Sequence, residues 1–318
     1  MRYVQALGWY VIFGHVSSME DMRRHYGGAV GLPPYLKCRI ADGQAENKDY
    51  FWGGEAIVLD INYGGTISAA DPRQADGATA RQTPIWRTHR LAELVADMKS
   101  RGLRVGPVMD GPYGLEATIV DPMGLVMGLR ESPPRPTLSV DREALRRRRR
   151  GEAFNPGCVP MPANVPELGW IRMRAQDPGA LTEFYATRLG LPLIDAHAGS
   201  TLLDLGDNLA LEIAGGGNRR EPPSAQMGAL SAAILRVTRL PELIAALTEA
   251  GAHFVGGRYS SPKGDWVYIA DPEGNVVGLA DRRHPGSYCA VLPVAPEDLE
   301  AARRAAEAAC APARHDRR

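Results

Sequence analysis

Two stretches of this chain share one pattern: Leu115–Glu131 reads LEATIVDPMGLVMGLRE, and Trp266–Arg282 reads WVYIADPEGNVVGLADR. Both contain D-P-x-G-x-V-x-G-L, in which runs of strand character flank a D-P-x-G turn. A strand, turn and strand that recurs after about 150 residues indicates that a structural unit is duplicated. Both copies also carry a glycine, Gly128 and Gly278, four residues after the glycine of the turn.

Two further repeats occur in the same order along the chain. The segment LGWYVIFGHVSSMEDMRRHYGGAVGLP from Leu7 is matched by LGWIRMRAQDPGALTEFYATRLGLP from Leu168, and both end in Y-x-x-x-x-G-L-P. The segment LAELVADMKSRGLRV from Leu91 is matched by LPELIAALTEAGAHFV from Leu240. Three repeats in one order predict two related halves, each with two modules of one strand, one helix and three further strands. Ser17 or Ser18 is expected to cap the first helix, and Asp177 the first helix of the second half.

Composition and charge limit the classes of function. The 318 residues include 37 basic and 37 acidic side chains, and this balance argues against a general affinity for nucleic acid or for acidic membranes. No apolar run approaches the roughly 20 residues that span a bilayer, and the N-terminus lacks the pattern of a signal peptide. The four cysteines are far apart and form no C-x-x-C pair. These features predict a cytoplasmic protein that binds neither nucleic acid nor membrane.

The repeated residues resemble a known superfamily. FYATRLGLP at Phe184–Pro192 and DPEGN at Asp271–Asn275 are similar to the vicinal oxygen chelate proteins, which include glyoxalase I, extradiol dioxygenases, epimerases and bleomycin-resistance proteins. The resemblance implies an α+β fold of tandem domains, each made of two βαβββ modules that form an incomplete barrel around a cavity. The predicted divisions are an N-terminal domain over 1–131, a linker rich in proline and arginine over 132–165, a C-terminal domain over 166–283 and a tail with a helix over 284–318.

The residues at the superfamily's metal-ligand positions do not suit a metal. In the resembled proteins a glutamate follows the D-P-x-G turn, where this chain has Gly128 and Gly278. The first-strand positions hold Trp9 or Val11, Thr83, Trp170 and Ala232, and only the carboxylates Asp60 and Glu212 remain, one in each half. Because a catalytic divalent ion usually needs about three protein ligands, the sequence predicts no metal and no other cofactor.

Strand alternation indicates which side chains would face the first cavity. Trp9, Phe13 and His15 share one face of the first strand, and Arg87 and His89 share one face of the strand that opens the second module. We expect His15 and His89 to carry protons, Asp60 to orient them and Arg87 to stabilise negative charge. Two alternatives remain open. The histidines could be solvated at strand ends, or His15, His89 and Asp60 could bind iron, manganese or zinc.

The second cavity is predicted to be rich in arginine. By the same alternation it holds Trp170, Arg172 and Arg174, with Arg236 and Glu212. Guanidinium groups bind carboxylates and phosphates, so the set favours an anionic ligand or a network of ion pairs, and exposed arginines are the simpler alternative. Tyr63 and Tyr113 are placed at the rim of the first cavity. The candidate substrate-binding groups of both cavities are Trp9, Phe13, Tyr63, Tyr113, Trp170, Arg172, Arg174, Arg236 and Glu212.

The sequence therefore favours a small-molecule enzyme without the superfamily's metal. The expected reaction is an isomerase- or lyase-type proton shift on an oxygenated metabolite that is aromatic or carboxylated. One alternative is a non-catalytic protein that sequesters a small molecule, as bleomycin-resistance proteins do. Another is a two-domain extradiol-type dioxygenase with displaced metal ligands. The predicted partner is a small molecule, and a homodimer is one candidate oligomeric state.

Overall fold

The computed structural model describes residues 3–32, 48–54, 57–63, 82–132, 166–197, 199–206, 209–223, 231–261 and 264–281. The predicted linker beyond residue 132, with its arginine run, and the predicted C-terminal tail lie outside these ranges. Within the described ranges the chain forms four modules, and each begins with a strand and a helix. In that part of the chain, no helix has the length and apolar character needed to cross a membrane.

The first half contains modules 1 and 2. Module 1 consists of β1 (Val4–Phe13), α1 (Met19–Arg23, continued by a π-helical turn over Arg24–Ala29), β2 (Lys48–Gly54) and β3 (Ile57–Asn62). Module 2 consists of β4 (Gln82–Thr88), α2 (Leu91–Ser100), β5 (Met109–Gly111), β6 (Gly114–Val120) and β7 (Val126–Glu131).

The second half repeats this order in modules 3 and 4. Module 3 consists of β8 (Glu167–Arg174), α3 (Pro178–Glu183, continued by a π-helical turn over Phe184–Arg188), β9 (Leu193–His197), β10 (Ser200–Gly206) and β11 (Leu209–Ala214). Module 4 consists of β12 (Ser231–Val237), α4 (Leu240–Glu249), β13 (His253–Phe254), β14 (Tyr259–Ser261), β15 (Gly264–Ala270) and β16 (Val276–Ala280).

The strands form two mixed sheets, and each sheet takes one module from each half. The first sheet has the order β2-β3-β1-β12-β16-β15-β13, with β14 also paired to β15. The second has the order β9-β10-β11-β8-β4-β7-β6-β5. The predicted α+β class, with two incomplete barrels of two modules each, is confirmed.

Each sheet combines one module from each half, whereas we expected the two modules of one half to close a cavity together. Within a module the first strand pairs in parallel with the last strand, as β1 does with β3 and β12 with β16. The other edge of the first strand is then open, and it takes up the first strand of a module from the other half. β1 pairs antiparallel with β12, and β4 with β8. The domain boundaries themselves stay a prediction.

The repeated L-G-W motif lies at these two seams. The β1–β12 register shifts between Leu7 and Trp9, so Gly8 is the extra residue of a bulge. A Cβ atom on Gly8 would come within 3.2 Å of the Ile234 carbonyl oxygen on the facing strand. The β4–β8 register skips Gly169 in the same way. The motif therefore marks the places where the halves pair, and glycine permits the close approach.

The repeated tyrosine and D-P-x-G motifs join the two modules of one half across the core. Tyr26 Oη donates to Asp121 Oδ2 at 2.9 Å, and Tyr185 Oη donates to Asp271 Oδ2 at 3.0 Å. The other carboxylate oxygen of each aspartate accepts backbone N–H groups of its own turn. Burial raises the pKa of Asp121 and of Asp271 to about 6. These bonds lie beside one apolar core that contains residues of all four modules.

The first helices of the two halves begin differently. Asp177 Oδ1 accepts the Ala180 N–H at 3.0 Å, so the predicted cap of α3 is confirmed, with Pro178 in the first turn. Ser18 precedes α1, but its side chain makes no capping bond. Its hydroxyl donates instead to the His15 carbonyl at 2.7 Å.

The aromatic pair of the second half suggests a stabilising change in the first. His25 packs edge-on against Tyr26 at 4.9 Å, as Phe184 packs against Tyr185 at 5.2 Å. His25 is buried, and burial, followed by the charge of Arg104, lowers its pKa to about 4. The neutral ring is therefore favoured on folding, and its contribution is lost as pH falls from the unfolded-state pKa of about 6.5 towards 4.

We expect His25→Phe to raise the urea midpoint and to reduce its loss between about pH 7 and pH 4.5. The measurement is chemical denaturation at both pH values, with exposed His253→Gln as the control. An unchanged pH dependence in His25→Phe would contradict the assignment.

Candidate functional site

Each sheet has a face that packs on the helices and a concave face that forms a cup. The first cup is the concave face shared by modules 1 and 4, and its buried apolar residues include Trp9, Val11, Phe13, Ile234, Trp266 and Tyr268. The second cup is the concave face shared by modules 2 and 3, and its buried apolar residues are Ile85, Tyr113, Trp170, Leu202 and Ala210.

Aromatic rings dominate the first cup. Tyr259 of β14 stacks on Trp266 of β15, with ring centroids 5.1 Å apart and planes 15° apart. The same tyrosine meets Tyr268 edge-on at 6.1 Å. Trp9 lies on the same concave face, opposite Ile234. Such a surface provides π-faces that stack with planar molecules.

Two charged groups belong to the first cup and lie far apart along it. Asp60 pairs with Val11 across β1 and β3, and it is 4% exposed. Arg236 shares the concave side of β12 with Ala232 and Ile234, and it is 6% exposed. Ala232 also pairs with Val11, and Arg236 is four residues further along β12, so their backbones are separated by about 13 Å along the strand.

The second cup contains an ion-pair network of Glu116, Arg130, Arg172 and Glu212. Arg130 Nη2 lies 2.6 Å from Glu116 Oε1 and 2.6 Å from Glu212 Oε2. Arg172 lies 2.8 Å from each of the same two carboxylates. The four charges cancel, and the side chains of Arg130 and Glu212 are fully buried. Burial alone would raise the pKa of Glu116, but the bonds and charges of Arg172 and Arg130 outweigh it and lower the pKa.

Aromatic rings also enclose Arg130. Its Cζ atom lies 4.5 Å from the Trp170 ring centroid and 5.3 Å from that of Tyr113. Tyr113 lies between β5 and β6, and its hydroxyl reaches the Ser200 carbonyl of β10 at 3.5 Å. It therefore connects the β5–β6 turn with β10 on the far side of the second cup.

The two cups have the same register and differ in side chains. Trp9 faces Ile234, which pairs with Gly278, and Trp170 faces Ile85, which pairs with Gly128. By the same pairings Asp60 is equivalent to Glu212.

Around Glu212 the network supplies Arg172 and Arg130. The equivalent positions in the first cup are Val11 and Ala280. The carboxylate of the second cup is therefore held in an ion-pair network, whereas the carboxylate of the first cup has apolar residues at those two positions.

The structure separates the four predicted catalytic residues. Asp60 lies in the first cup, and His15 follows β1 four residues beyond Val11, about 13 Å along the strand from the residue that pairs with Asp60. His15 Nδ1 lies 2.8 Å from Ser17 Oγ. Arg87 and His89 belong to the second sheet and its edge, where Arg87 pairs with Glu167 at 2.7 Å and exposed His89 lies 2.7 Å from the Ser132 carbonyl.

The predicted binding residues are also divided between the cups. Trp9 and Phe13 lie in the first cup, and Trp170, Arg172 and Glu212 lie in the second. Four placements differ from the sequence-based expectation. Arg236 is in the first cup, Tyr113 is in the second, Arg174 is exposed, and Tyr63 is in the helix-side core with its hydroxyl donating to Asp49 at 2.9 Å. The first two differences follow from the pairing of first strands across the halves.

The described residues of the cups do not fit the divalent ion that the resemblance implies. Both oxygens of Glu212 accept hydrogen bonds from arginines. A Cβ on Gly128 would lie 2.9 Å from Ile85 Cγ1, and one on Gly278 would overlap Ile234 Cδ1. The two glycines therefore lack donor atoms, and a larger residue there would first have to displace an isoleucine side chain. No group of three histidine, cysteine, aspartate or glutamate side chains among the described residues is arranged to hold a metal.

Sequence reasoning missed Arg130, one of the two fully buried charges of the site. Arg130 lies two residues after Gly128, so alternation places the two side-chain positions on the same face. Its partner Glu116 lies on the neighbouring strand β6, opposite Arg130. Glu116 and Arg130 both belong to the repeated segment Leu115–Glu131. Their contact with Arg172 and Glu212 becomes apparent only when it is known which modules share a sheet.

Comparison with known proteins establishes the fold. No family model matches the chain, and no curated protein matches it. Glyoxalase I from Zea mays is similar in structure over 91% of this chain and 94% of its own, with a TM-score of 0.51 and 17% identity. A candidate dioxygenase from Bacillus subtilis is similar over 97% of each chain, with a TM-score of 0.53 and 11% identity. The chain has the vicinal oxygen chelate fold.

The ion-pair network yields a stability prediction. Glu212→Gln removes a fully buried charge from the network and leaves the fully buried Arg130 without one of its two partners, so we expect a loss of about 3 to 5 kcal/mol in the free energy of unfolding. Asp97→Asn, which breaks the exposed helical pair with Arg101, should cost at most about 0.5 kcal/mol. Urea denaturation of both variants tests this. Equal losses would show that the network is not a buried set of charges.

Proposed function

We propose that the chain binds a small, planar, oxygen-bearing molecule in the first cup, and that it does so without a resident metal ion. One observation supports this assignment above the others: the strands of the two cups pair in the same register, but the residues around the carboxylate differ. In the second cup Arg172 and Arg130 lie next to Glu212. In the first cup the equivalent positions next to Asp60 hold Val11 and Ala280. The first cup therefore presents an aromatic surface with a carboxylate, whereas the charged groups of the second cup are paired with one another.

The ligand class follows from the side chains of the first cup. Trp9, Trp266 and Tyr268 offer faces for stacking, which favours a planar molecule. Asp60 is an acceptor of hydrogen bonds, which favours hydroxyl groups on that molecule. Arg236, at the other end of the cup, suits a carboxylate. A hydroxylated aromatic metabolite, with or without a carboxylate, combines these features.

A second candidate function is a proton transfer in the same cup. Asp60 is a buried carboxylate on a mainly apolar concave face, which is the type of group that removes a proton from a carbon next to a carbonyl. In this second candidate function, Asp60 acts as the base instead of His15 and His89. An isomerase- or lyase-type reaction would then require no group from the second sheet.

Binding is tested with catechol as the probe, by tryptophan fluorescence of protein treated with a chelator. We expect saturable quenching that persists in Trp170→Phe and is strongly reduced in Trp9→Phe, because these two residues are equivalent in the two cups. Asp60→Asn should weaken binding by about tenfold or more, because one hydrogen bond to a charged group contributes about 1.5 to 3 kcal/mol. Quenching that depends on Trp170 instead would place the ligand in the other cup.

Metal content provides an independent test. We expect purified protein to contain far less than one equivalent of iron, manganese or zinc, and catechol affinity to be the same before and after chelator treatment. About one tightly held ion per chain, with binding lost on its removal, would instead support the dioxygenase alternative.

Proton transfer is tested by deuterium exchange. Incubated in D2O with 2-hydroxyacetophenone, the protein should accelerate exchange of the proton next to the carbonyl, as followed by proton NMR. Asp60→Asn should abolish the acceleration, and exposed Asp110→Asn should retain it. An exchange rate that the wild-type protein leaves unchanged would contradict the proton-transfer function, and the binding function would then stand alone.

A further inference from the structure

Two buried polar groups in the second cup have no hydrogen-bond partner within the part of the chain that the structure describes. Arg130 Nη1 is buried without a partner among the described residues, although the other two guanidinium nitrogens of Arg130 bind Glu116 and Glu212. Ser200 is 5% exposed, and its Oγ atom likewise has no partner there. Buried polar atoms in folded proteins are almost always hydrogen-bonded, because leaving one unpaired costs about 1 to 3 kcal/mol.

The two groups belong to one local site. Tyr113 connects them, since its ring lies 5.3 Å from Arg130 Cζ and its hydroxyl lies 3.5 Å from the Ser200 carbonyl. Ser200 lies two residues from Leu202 on β10, so alternation places its side chain on the same concave face. The rings of Trp170 and Tyr113 accept N–H groups only weakly, so they do not replace an oxygen acceptor for Arg130 Nη1.

The charge of the site restricts what could bind there. The two arginines and two glutamates of the ion-pair network cancel, so an added anion would be buried with no net opposite charge. A neutral oxygen acceptor would satisfy Arg130 Nη1 without that cost. The apolar neighbours Ile85, Trp170 and Leu202 favour a ligand with a planar or apolar body.

We propose that the second cup is a separate binding site for a small, neutral carbonyl compound, whose oxygen accepts from Arg130 Nη1 and whose polar group meets Ser200 Oγ beneath Tyr113. This site differs from the first cup in ligand class, because its charges are already paired and its available groups are hydrogen-bond donors. The chain would then bind two different molecules, one in each cup.

The test uses benzamide as a neutral planar carbonyl probe and benzoate as its charged counterpart. Binding to the full chain is measured by ligand-observed NMR and by tryptophan fluorescence. We expect benzamide to bind with quenching that is lost in Trp170→Phe, and Trp170-dependent quenching by benzoate to require at least tenfold more ligand. Benzoate that binds through Trp170 as tightly as benzamide would overturn the neutral ligand class.

Ser200→Ala tests the site with little risk to folding, whereas a substitution of Arg130 disturbs the ion-pair network. We expect Ser200→Ala to weaken benzamide binding about fivefold or more, the value of about 1 kcal/mol for one hydrogen bond. Thr201→Ala removes the neighbouring hydroxyl of β10, on the opposite face, and should leave the affinity unchanged. Equal effects of the two variants, or no detectable benzamide binding, would overturn the proposal.

A crystal structure of the chain with benzamide separates a ligand from a structural water. We expect the amide oxygen within hydrogen-bond distance of Arg130 Nη1. An ordered water at that nitrogen that benzamide does not displace would show that the donor is satisfied by solvent, and the proposal would be wrong. Because the probes and the cup differ from those of the first-cup experiments, failure here leaves the proposed function of the first cup intact.

Discussion

The antiparallel pairing of first strands across the two halves determines the rest of this structure. β1 pairs with β3 along one edge and with β12 along the other. In the other sheet, β4 and β8 pair in the same antiparallel way. Since side chains alternate along each strand, these two pairings decide which residues share a concave face. They also explain the glycine of each L-G-W motif, which lies in the bulge where the strands meet. The hydrogen bonds Tyr26–Asp121 and Tyr185–Asp271 then join the modules within each half.

The strands of the two cups pair in the same register, but the charged side chains on the two concave faces differ. Charges that leave water must be paired, and the second cup meets this requirement internally, because Arg130 and Arg172 each contact both Glu116 and Glu212. In the first cup, Val11 and Ala280 at the equivalent positions leave an aromatic surface around Asp60. The two concave faces thus share one frame, and a few side chains distinguish a face with paired charges from a face with an aromatic surface.

The sequence predicted the frame well and the sites less well. The repeats predicted the four modules, because period-two alternation and turn motifs are local signals, and the resemblance to the vicinal oxygen chelate proteins implied the α+β fold. Alternation also placed Trp9, Phe13 and Trp170 correctly on concave faces. It could not show that β1 and β4 lie in different sheets, so His15 and His89 were assigned to one cavity and Arg172 and Arg236 to another. Strand pairing between distant segments depends on tertiary packing, and a single sequence carries no direct record of it.

The central claim is that the first cup holds its ligand through its own side chains. The most direct measurement is a crystal structure of chelator-treated protein with catechol. The account predicts a ring packed against Trp9 and Tyr268, with a hydroxyl group on Asp60 and no cation between ligand and protein. Catechol bound in the second cup, or bound through an ion that three protein atoms coordinate, would contradict it.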